Sequence, residues 1–289
     1  MASACLQQRT PAWHSARKGK LTASNVGAAL GLCPWTSRMQ AFNRAMGVER
    51  FLGKEFTDIL GRLPPSANAF LRAVCGAGND ATRWGTQNEA NGILAYSAHT
   101  GNVVNNTGLH VHPHTPWLAG SPDGLIGTEG LLEVKCPYWR KKDGTRLHKE
   151  VPAHYYLQIN LCLECAERDW CDFISWSPEG YRIYRITRDK ELHEMLMPHY
   201  LKFFAAMQRM AKAPPVLGAE EKAEIERIVR SSMTTHINYL FWDKVDLVQS
   251  PPSPEADDDE PSPKRTKLSA EGGRCENTSQ TGAQVDGAS

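Results

Sequence analysis

Three charged residues between positions 120 and 135 have the types and spacing of a metal-dependent hydrolytic site. Asp123 lies in a Pro-Asp-Gly turn, and Leu131–Lys135 predicts a strand. Because side chains alternate along a strand, Glu133 and Lys135 should share one face while Val134 points to the other. Two carboxylates suit Mg²⁺ or Mn²⁺, and a neighbouring ammonium group can position a water for phosphodiester hydrolysis. An ordinary surface hairpin with a paired acid and base fits the same short pattern.

A helix upstream of this turn is expected to supply a third carboxylate. The stretch that begins at Arg83 contains apolar residues at helical spacing, namely Ala90, Ile93, Leu94 and Ala95. Gly85 would allow close packing of this helix, and Glu89 lies about one turn further along.

A second helix is predicted downstream, where Val151-Pro152-Ala153-His154 leads into an apolar stretch ending at Leu161. Pro152 is placed where the start of a helix tolerates proline. Tyr155 and Gln158 are three residues apart and therefore share one face of that helix.

Together these motifs resemble the bacteriophage lambda exonuclease family. Its members, also called YqaJ-type viral recombinases, are a branch of the restriction-endonuclease-like PD-(D/E)xK nucleases. The resemblance covers roughly residues 10–210, with every motif in the family's order. It is carried by Arg17 to Ser24, Gly85 with Glu89, Ser121 with Asp123, Glu133 with Lys135, and Tyr155 with Gln158.

The resemblance implies an α/β fold with a restriction-endonuclease-like core, in which helices flank a mixed central sheet. It also implies Mg²⁺-dependent digestion of duplex DNA from a 5′ end, with two metal ions (Mg²⁺ or Mn²⁺) at the site. Lys135 would orient or activate the attacking water, and Gln158 would hold that water or Lys135 in place. The implied metal ligands are Glu89, Asp123, Glu133 and the carbonyl of Val134.

The same family carries a pocket for a terminal 5′-phosphate, and four residues match its DNA-contacting positions. Arg17 can fork onto phosphate oxygens, while Ser24 and Ser121 can donate hydroxyl hydrogen bonds. Tyr155 is assigned to the same DNA-binding set. The segment from Leu21 to Leu30 also predicts a capped helix, whose N-terminus favours an anion.

Nearby residues have simpler interpretations as well. Thr22 or Ser24 could merely cap a core helix. Trp13 is expected in the core, with stacking on a DNA base as the alternative.

Composition divides the chain into two parts. The 289 residues carry a net charge of +1, yet residues 250–289 hold eight acidic and four basic residues, which leaves +5 for residues 1–249. We expect one nuclease domain over 1–249, because this length can bury one sizeable core, followed by a disordered acidic Pro/Ser tail over 250–289. Residues 261–268 of the tail resemble a nuclear-import signal.

No apolar run reaches the roughly 20 residues of a membrane span, and no secretory core follows Met1. The protein is therefore not expected to be secreted, and the import-signal resemblance of residues 261–268 makes the nucleus the expected location, or otherwise the cytoplasm.

Cysteine and histidine patterns raise two further metal hypotheses. Cys162, Cys165 and Cys171 have the spacing of an iron–sulfur ligand set in related nucleases, with Cys5 or Cys33 as nominal fourth ligand. The triplet begins only four residues after Gln158, on the predicted helix, which argues against a cluster and for buried free thiols. The alternating residues His110, His112 and His114 predict partly exposed histidines on one face of a strand rather than a transition-metal site.

Three other segments carry weaker signals. The basic cluster over residues 139–149 could follow a DNA backbone or form a solvated loop. Residues 51–78 could be a lid, a subunit contact or a variable insertion. Residues 237–248 could complete the core or contact another subunit.

From the residues and the resemblance, we expect a 5′-to-3′ exonuclease that leaves 3′ overhangs on duplex DNA ends. A structure-specific or nicking endonuclease is the alternative within the same chemistry. A nuclear DNA-binding or scaffold protein is the alternative without catalysis, although a binder has no need for all five catalytic-type residues. A single-strand annealing protein is the expected partner, and the family resemblance implies a homotrimeric ring.

Overall fold

In the part of the chain that the structure describes, helices surround two mixed β-sheets, one of six strands and one of three. The computed structural model describes residues 6–47, 80–138 and 147–244, and elements are numbered within these ranges. The strands are β1 (Leu21–Thr22), β2 (Val104–Asn105), β3 (His110–Val111), β4 (Leu118–Gly120), β5 (Gly124–Ile126), β6 (Gly130–Lys135), β7 (Trp170–Ser177), β8 (Gly180–Thr187) and β9 (Ile237–Lys244). The helices are α1 (Pro11–Ala16), α2 (Ala23–Ala29), α3 (Arg38–Met46), α4 (Asp80–Thr100), α5 (Ala153–Ala166), α6 (Lys190–Gln208) and α7 (Ala219–His236).

The larger sheet has the order β2-β5-β6-β7-β8-β9, and its parallel pair β6 and β7 lies at the centre. The chain crosses between these two strands through α5, as a parallel connection requires. Both strands are largely buried, which explains their mostly apolar sequences. Glu133 is therefore an exception, a carboxylate in a buried strand directly opposite Phe173.

Helices cover both faces of this sheet. On one face α5 packs with α2, α3 and α6 around a large apolar cluster that includes Leu131 and Phe173. On the other face α4 packs over a smaller cluster that includes Tyr96, Val134 and Ile174. The predicted mixed sheet with flanking helices is confirmed.

The packing of α4 differs from the sequence prediction. Ala90 and Leu94 point into solvent, and Leu94 is 67% exposed. The predicted Ile93 and Ala95 are partly buried against the sheet, and the closest approach is at Tyr96 and Gly92, where a Cβ added to Gly92 would lie only 2.5 Å from Val134 Cγ1. Close packing thus depends on Gly92, whereas a Cβ on Gly85 would have its nearest neighbour at 4.0 Å.

Two further expectations need correction. Trp13 is half-buried on a pocket wall rather than in the core. The helix expected from Leu21 begins at Ala23, after the short strand β1, and Thr22 at its N-cap makes no side-chain capping bond.

The last described element completes the large sheet. β9 pairs antiparallel with β8 along its length. Residues 237–244 therefore extend the central sheet, while Tyr239 and Leu240 remain about half exposed.

Several predictions fall outside the described residues. They concern Cys5, residues 51–78, the basic cluster over 139–146, and the tail over 250–289 with its candidate import signal at 261–268. The domain boundary at residue 249 stays a prediction for the same reason. None of the helices in the described ranges has the length and apolarity needed to cross a bilayer.

Candidate active site

The backbone around Asp123 holds its carboxylate against the central strand. Its amide donates to Leu132 O at 3.0 Å, and its Oδ2 accepts a hydrogen bond from Val134 N at 2.7 Å. Because β5 and β6 pair with Gly124 opposite Leu132, Asp123 lies beside the Glu133–Lys135 stretch. In the structure the turn and the strand thus bring the carboxylates of Asp123 and Glu133 close together.

Glu133, Lys135 and Gln158 form one hydrogen-bonded group on the α5 side of the sheet. Gln158 Nε2 donates to Glu133 Oε1 at 2.5 Å, and Lys135 Nζ forms an ion pair with the same oxygen. Glu133 is 1% exposed, and its Oε2 is buried without a hydrogen-bond partner among the described residues. A buried carboxylate oxygen without a partner is costly unless something else binds it.

Glu89 reaches the same group from α4. Its Oε2 forms an ion pair with Arg9 Nη2, and its side chain is 25% exposed. Its charge also contributes to raising the pKa of both Asp123 and Glu133, as expected of a neighbouring carboxylate. The sequence pattern identified Glu89 but gave no sign of its partner, Arg9.

The electrostatics of the group favour a bound cation. Burial, and then the charge of Glu133, raises the pKa of Asp123 well above its usual range. Burial likewise raises the pKa of Glu133, although Lys135 opposes this shift. For Lys135, burial alone would lower the pKa, but the negative charges of Glu133 and Asp123 more than offset it and raise the pKa. Lys135 is therefore an ammonium at neutral pH.

These residues fit a hard divalent cation. Glu89, Asp123 and Glu133 lie near enough to influence one another electrostatically, and the unpartnered Glu133 Oε2 is available as a ligand. These three carboxylates would hold Mg²⁺ or Mn²⁺, with the Val134 carbonyl remaining a predicted fourth ligand. Such an ion, when bound, would stabilise the negative charge that develops on phosphate oxygens.

Aromatic rings surround the lysine. Lys135 Nζ lies 5.0 Å from the centroid of the Tyr155 ring, and Tyr155 packs against His148 and His154. Burial lowers the pKa of His148 and of His154 to about 4, reinforced by Lys135 at His148 and by His148 and then Lys135 at His154. Both imidazoles are therefore neutral at physiological pH. His148 bonds to Ser175 in the interior, so it does not extend the predicted basic DNA-contacting loop.

A second cluster, built around Arg17, lies beside the carboxylates. Arg17 Nη2 donates to Ser24 Oγ at 2.8 Å and to Thr22 Oγ1 at 3.1 Å, and Arg17 Nη1 lies 3.5 Å from Ser121 Oγ. The guanidinium also stacks 4.2 Å above the Trp13 ring, whose Nε1 donates to Ser121 at 3.0 Å. The predicted residues Arg17, Ser24 and Ser121 thus meet, and Thr22 joins them through its side chain.

Trp13, Arg17, Thr22 and Ser24 line a cavity of about 310 Å³ with a strongly basic wall. Lys18, Lys20 and Arg44 contribute to that wall, and the sequence reasoning did not single them out. The run of basic residues after Arg17 was an available signal for Lys18 and Lys20. Arg44 comes from α3 and could not have been placed without the fold.

The histidine and cysteine hypotheses have separate outcomes. His112 is 8% exposed and lies with Glu164 and His193, all ligand-type atoms falling within 4.8 Å of one another. The expectation of partly exposed strand histidines is wrong for His112, because this residue follows the end of β3 and its ring stacks on that of His193 in the interior. Glu164 is, however, bound by Arg188 through both oxygens.

The three cysteines of the candidate iron–sulfur triplet lie in the core. Cys162 and Cys165 are on α5, and Cys171 is on β7. Burial raises the pKa of all three thiols, which disfavours the thiolate form that binds metals.

The fold and site define an α/β protein in which a buried Glu-x-Lys strand, a preceding aspartate and a helical glutamate meet beside a basic cavity. Residues 12–169 match the YqaJ-like viral recombinase domain family, and the chain belongs to this family. The predicted resemblance is confirmed.

Individual relatives are more distant. An uncharacterized protein of Acanthamoeba polyphaga mimivirus is 30% identical over 125 residues, which cover 37% of this chain and 23% of that protein. The chain therefore matches less than a quarter of that relative's length.

Solved structures show a loose likeness. An alkaline exonuclease from Laribacter hongkongensis is 26% identical, covering 78% of this chain and all of that chain with a TM-score of 0.45. The same enzyme in complex with dAMP gives a TM-score of 0.46 at the same identity and coverage. A phage-related exonuclease from Haemophilus somnus is 14% identical, covering 74% of this chain and 99% of that chain, with a TM-score of 0.39. The family assignment rests on the sequence match.

Proposed function

We propose that this protein is a Mg²⁺-dependent deoxyribonuclease that digests one strand of duplex DNA from its 5′ end. The observation that carries the proposal is the meeting of Glu89, Asp123, Glu133, Lys135 and Gln158 beside a basic cavity. Family membership supports the same chemistry. The product would be duplex DNA with 3′ single-stranded overhangs.

Each residue has a role that follows from its surroundings. The Val134 amide holds Asp123, and the Gln158 side chain holds Glu133. The oxygens of both carboxylates are therefore oriented before any ligand binds. Lys135 stays charged and can orient the attacking water towards phosphorus or stabilise the charge on the phosphate. Neutral His148 and His154 leave no described histidine near Lys135 in a protonated state at neutral pH.

The basic cavity favours an exonuclease over an endonuclease. A terminal phosphate carries more negative charge than an internal diester, and Arg17, Lys18, Lys20 and Arg44 provide a matching cluster of cations. Ser121 contacts Arg17 and is two residues from Asp123, so an end bound in the cavity would lie next to the carboxylates. This adjacency supports cutting at a fixed short distance from a 5′ end.

The test is digestion of three DNA substrates in Mg²⁺: linear duplex with a 5′-phosphate, the same duplex without it, and a closed circle. We expect digestion of linear forms only, faster with the phosphate, and none with Glu133→Ala. Lys135→Ala should stop cutting while DNA binding persists, whereas Lys222→Ala, which removes an exposed lysine of a surface pair on α7, should behave like wild type. Cutting of the circle would establish an endonuclease, and binding without cutting would establish a DNA-binding protein.

The remaining proposals concern assembly and location. We propose a homotrimeric ring around duplex DNA, to be tested by light scattering of the purified protein. We also propose delivery of the 3′ overhang to a single-strand annealing protein, and nuclear import through residues 261–268. Removing the basic residues of that segment from a fluorescent fusion should shift the protein from the nucleus to the cytoplasm.

A further inference from the structure

The segment before α1 crosses the mouth of the candidate active site. Gln8 Nε2 donates to Pro122 O at 2.7 Å, next to Asp123. Arg9 follows with a left-handed backbone conformation (φ 66°), which is uncommon for a residue other than glycine. Its guanidinium forms an ion pair with Glu89, 80 residues away in the chain. The contacts on both sides hold this arginine at the site.

Arg9 is paired with a different carboxylate from the one that Lys135 contacts. Lys135 and Gln158 both bind Glu133, whereas Arg9 binds Glu89. Arg9 therefore compensates the negative charge of Glu89, a carboxylate that forms no ion pair with Lys135. Its side chain is 50% exposed, so it also faces the solvent from which DNA would approach.

A divalent ion and a guanidinium compete for Glu89. When Glu89 serves as a metal ligand, its attraction for Arg9 is weakened, and the added positive charge repels the guanidinium. Arg9 is then free to bind another anion at the same place, because the Gln8 and Thr10 contacts keep its backbone in position. A DNA phosphate at the mouth of the site has the matching charge and geometry for a guanidinium fork.

We propose that Arg9 is a phosphate-contacting residue that binds Glu89 in the metal-free protein and a DNA phosphate next to the cleaved bond in the metal-loaded one. Arg9 thereby couples metal binding to DNA binding. This inference rests on the proposed nuclease function and adds a DNA contact from outside the Arg17 cavity.

The experiment compares wild type, Arg9→Gln and Arg9→Lys with Arg227→Gln as the matched control. Arg227 is an exposed arginine paired with Glu224 on α7, so its replacement removes the same charge away from the site. Calorimetric titration with Mg²⁺ in the absence of DNA measures competition at Glu89. We expect Arg9→Gln to bind Mg²⁺ about two- to fivefold more tightly than wild type, as the loss of a partly exposed ion pair implies.

DNA affinity is measured on 5′-phosphorylated duplex in Ca²⁺, over a series of salt concentrations, with gels confirming that the DNA remains intact. Arg9→Gln should bind about tenfold more weakly, since a charge-assisted hydrogen bond is lost. The slope of log affinity against log salt should fall by about one. Arg9→Lys should restore the slope because it keeps the charge. Arg227→Gln should match wild type in both measurements.

Unchanged DNA affinity and salt slope in folded Arg9→Gln would overturn the inference, as would Mg²⁺ binding weaker than that of wild type. Either result would show that Arg9 only supports the fold. Failure of the proposed function is distinguishable, because wild type itself would then show no DNA binding or no Mg²⁺-dependent cutting.

Discussion

Asp123 provides a direct test of the link between the carboxylate group and a bound cation. In the metal-free protein Asp123 is partly buried, and its raised pKa reflects burial first and the charge of Glu133 second. Asp123→Asn keeps an oxygen that can accept from Val134 N but removes the charge. We expect this variant to be more stable than wild type without metal at pH 8, by about 1–3 kcal/mol, the usual effect of an imperfectly solvated buried polar group.

The effect should grow with pH. Asp123 keeps its proton to higher pH in the folded protein than in the unfolded chain, because its folded pKa is raised. Its stabilising contribution is therefore complete at low pH and is lost as pH rises through the folded pKa. Asparagine loses no proton, so the advantage of Asp123→Asn should be small near pH 4 and largest at alkaline pH.

Mg²⁺ should reverse the order of stability. At about 100 times its Kd, a ligand stabilises the folded state by about 2.7 kcal/mol, which raises the Tm of a domain of this size by roughly 5–11 °C. Wild type should show this rise, and Asp123→Asn should lose most of it.

The assay is thermal unfolding in EDTA and in a Mg²⁺ series, at pH 4 and pH 8, with Asp80→Asn as an exposed control that should follow wild type. A metal-free Asp123→Asn that is less stable than wild type at pH 8, with an intact response to Mg²⁺, would refute the reasoning.

Three further predictions concern the pocket, the support of the site and the packing of α4. Arg17→Ala should reduce the preference for a 5′-phosphate about tenfold or more. The preference is measured as the ratio of the digestion rates of the two linear duplexes. Gln158→Ala should lower kcat about 10- to 100-fold with the fold intact, because Glu133 loses the donor that orients it, and an unchanged kcat would argue against that role. Gly92→Ala should destabilise the protein by about 1–3 kcal/mol through a clash with β6, measured by denaturant unfolding. Gly85→Ala on the same helix should be neutral or stabilising, because it has space for a Cβ and gains helix propensity.

The candidate site was predictable where its geometry is local. Alternation along β6 was enough to place Glu133 and Lys135 on one face and Val134 in the opposite layer. Helical spacing was enough to place Tyr155 and Gln158 together on α5.

Apolar periodicity was less reliable on α4. Of its four apolar residues, Ile93 and Ala95 pack against the sheet cluster while Ala90 and Leu94 are exposed, and the closest approach is at Gly92 and Tyr96. A glycine carries no hydrophobic signal, yet its missing Cβ allows two elements to come close. The actual contact face of the helix therefore could not be derived from side-chain hydrophobicity.

The sequence by itself determined the family and the local arrangement of the candidate site: two carboxylates and a lysine in a turn and a strand, with motifs in the order of the YqaJ-like family. Only the tertiary structure decided which distant residues these side chains contact. Arg9 binds Glu89 from 80 residues away, Arg44 joins the Arg17 cavity from another helix, and His112 turns inward towards His193. The physical reason is that local periodicity sets which way a side chain points along its own element. Which distant side chain it meets depends on how whole elements pack, and no short-range pattern encodes that.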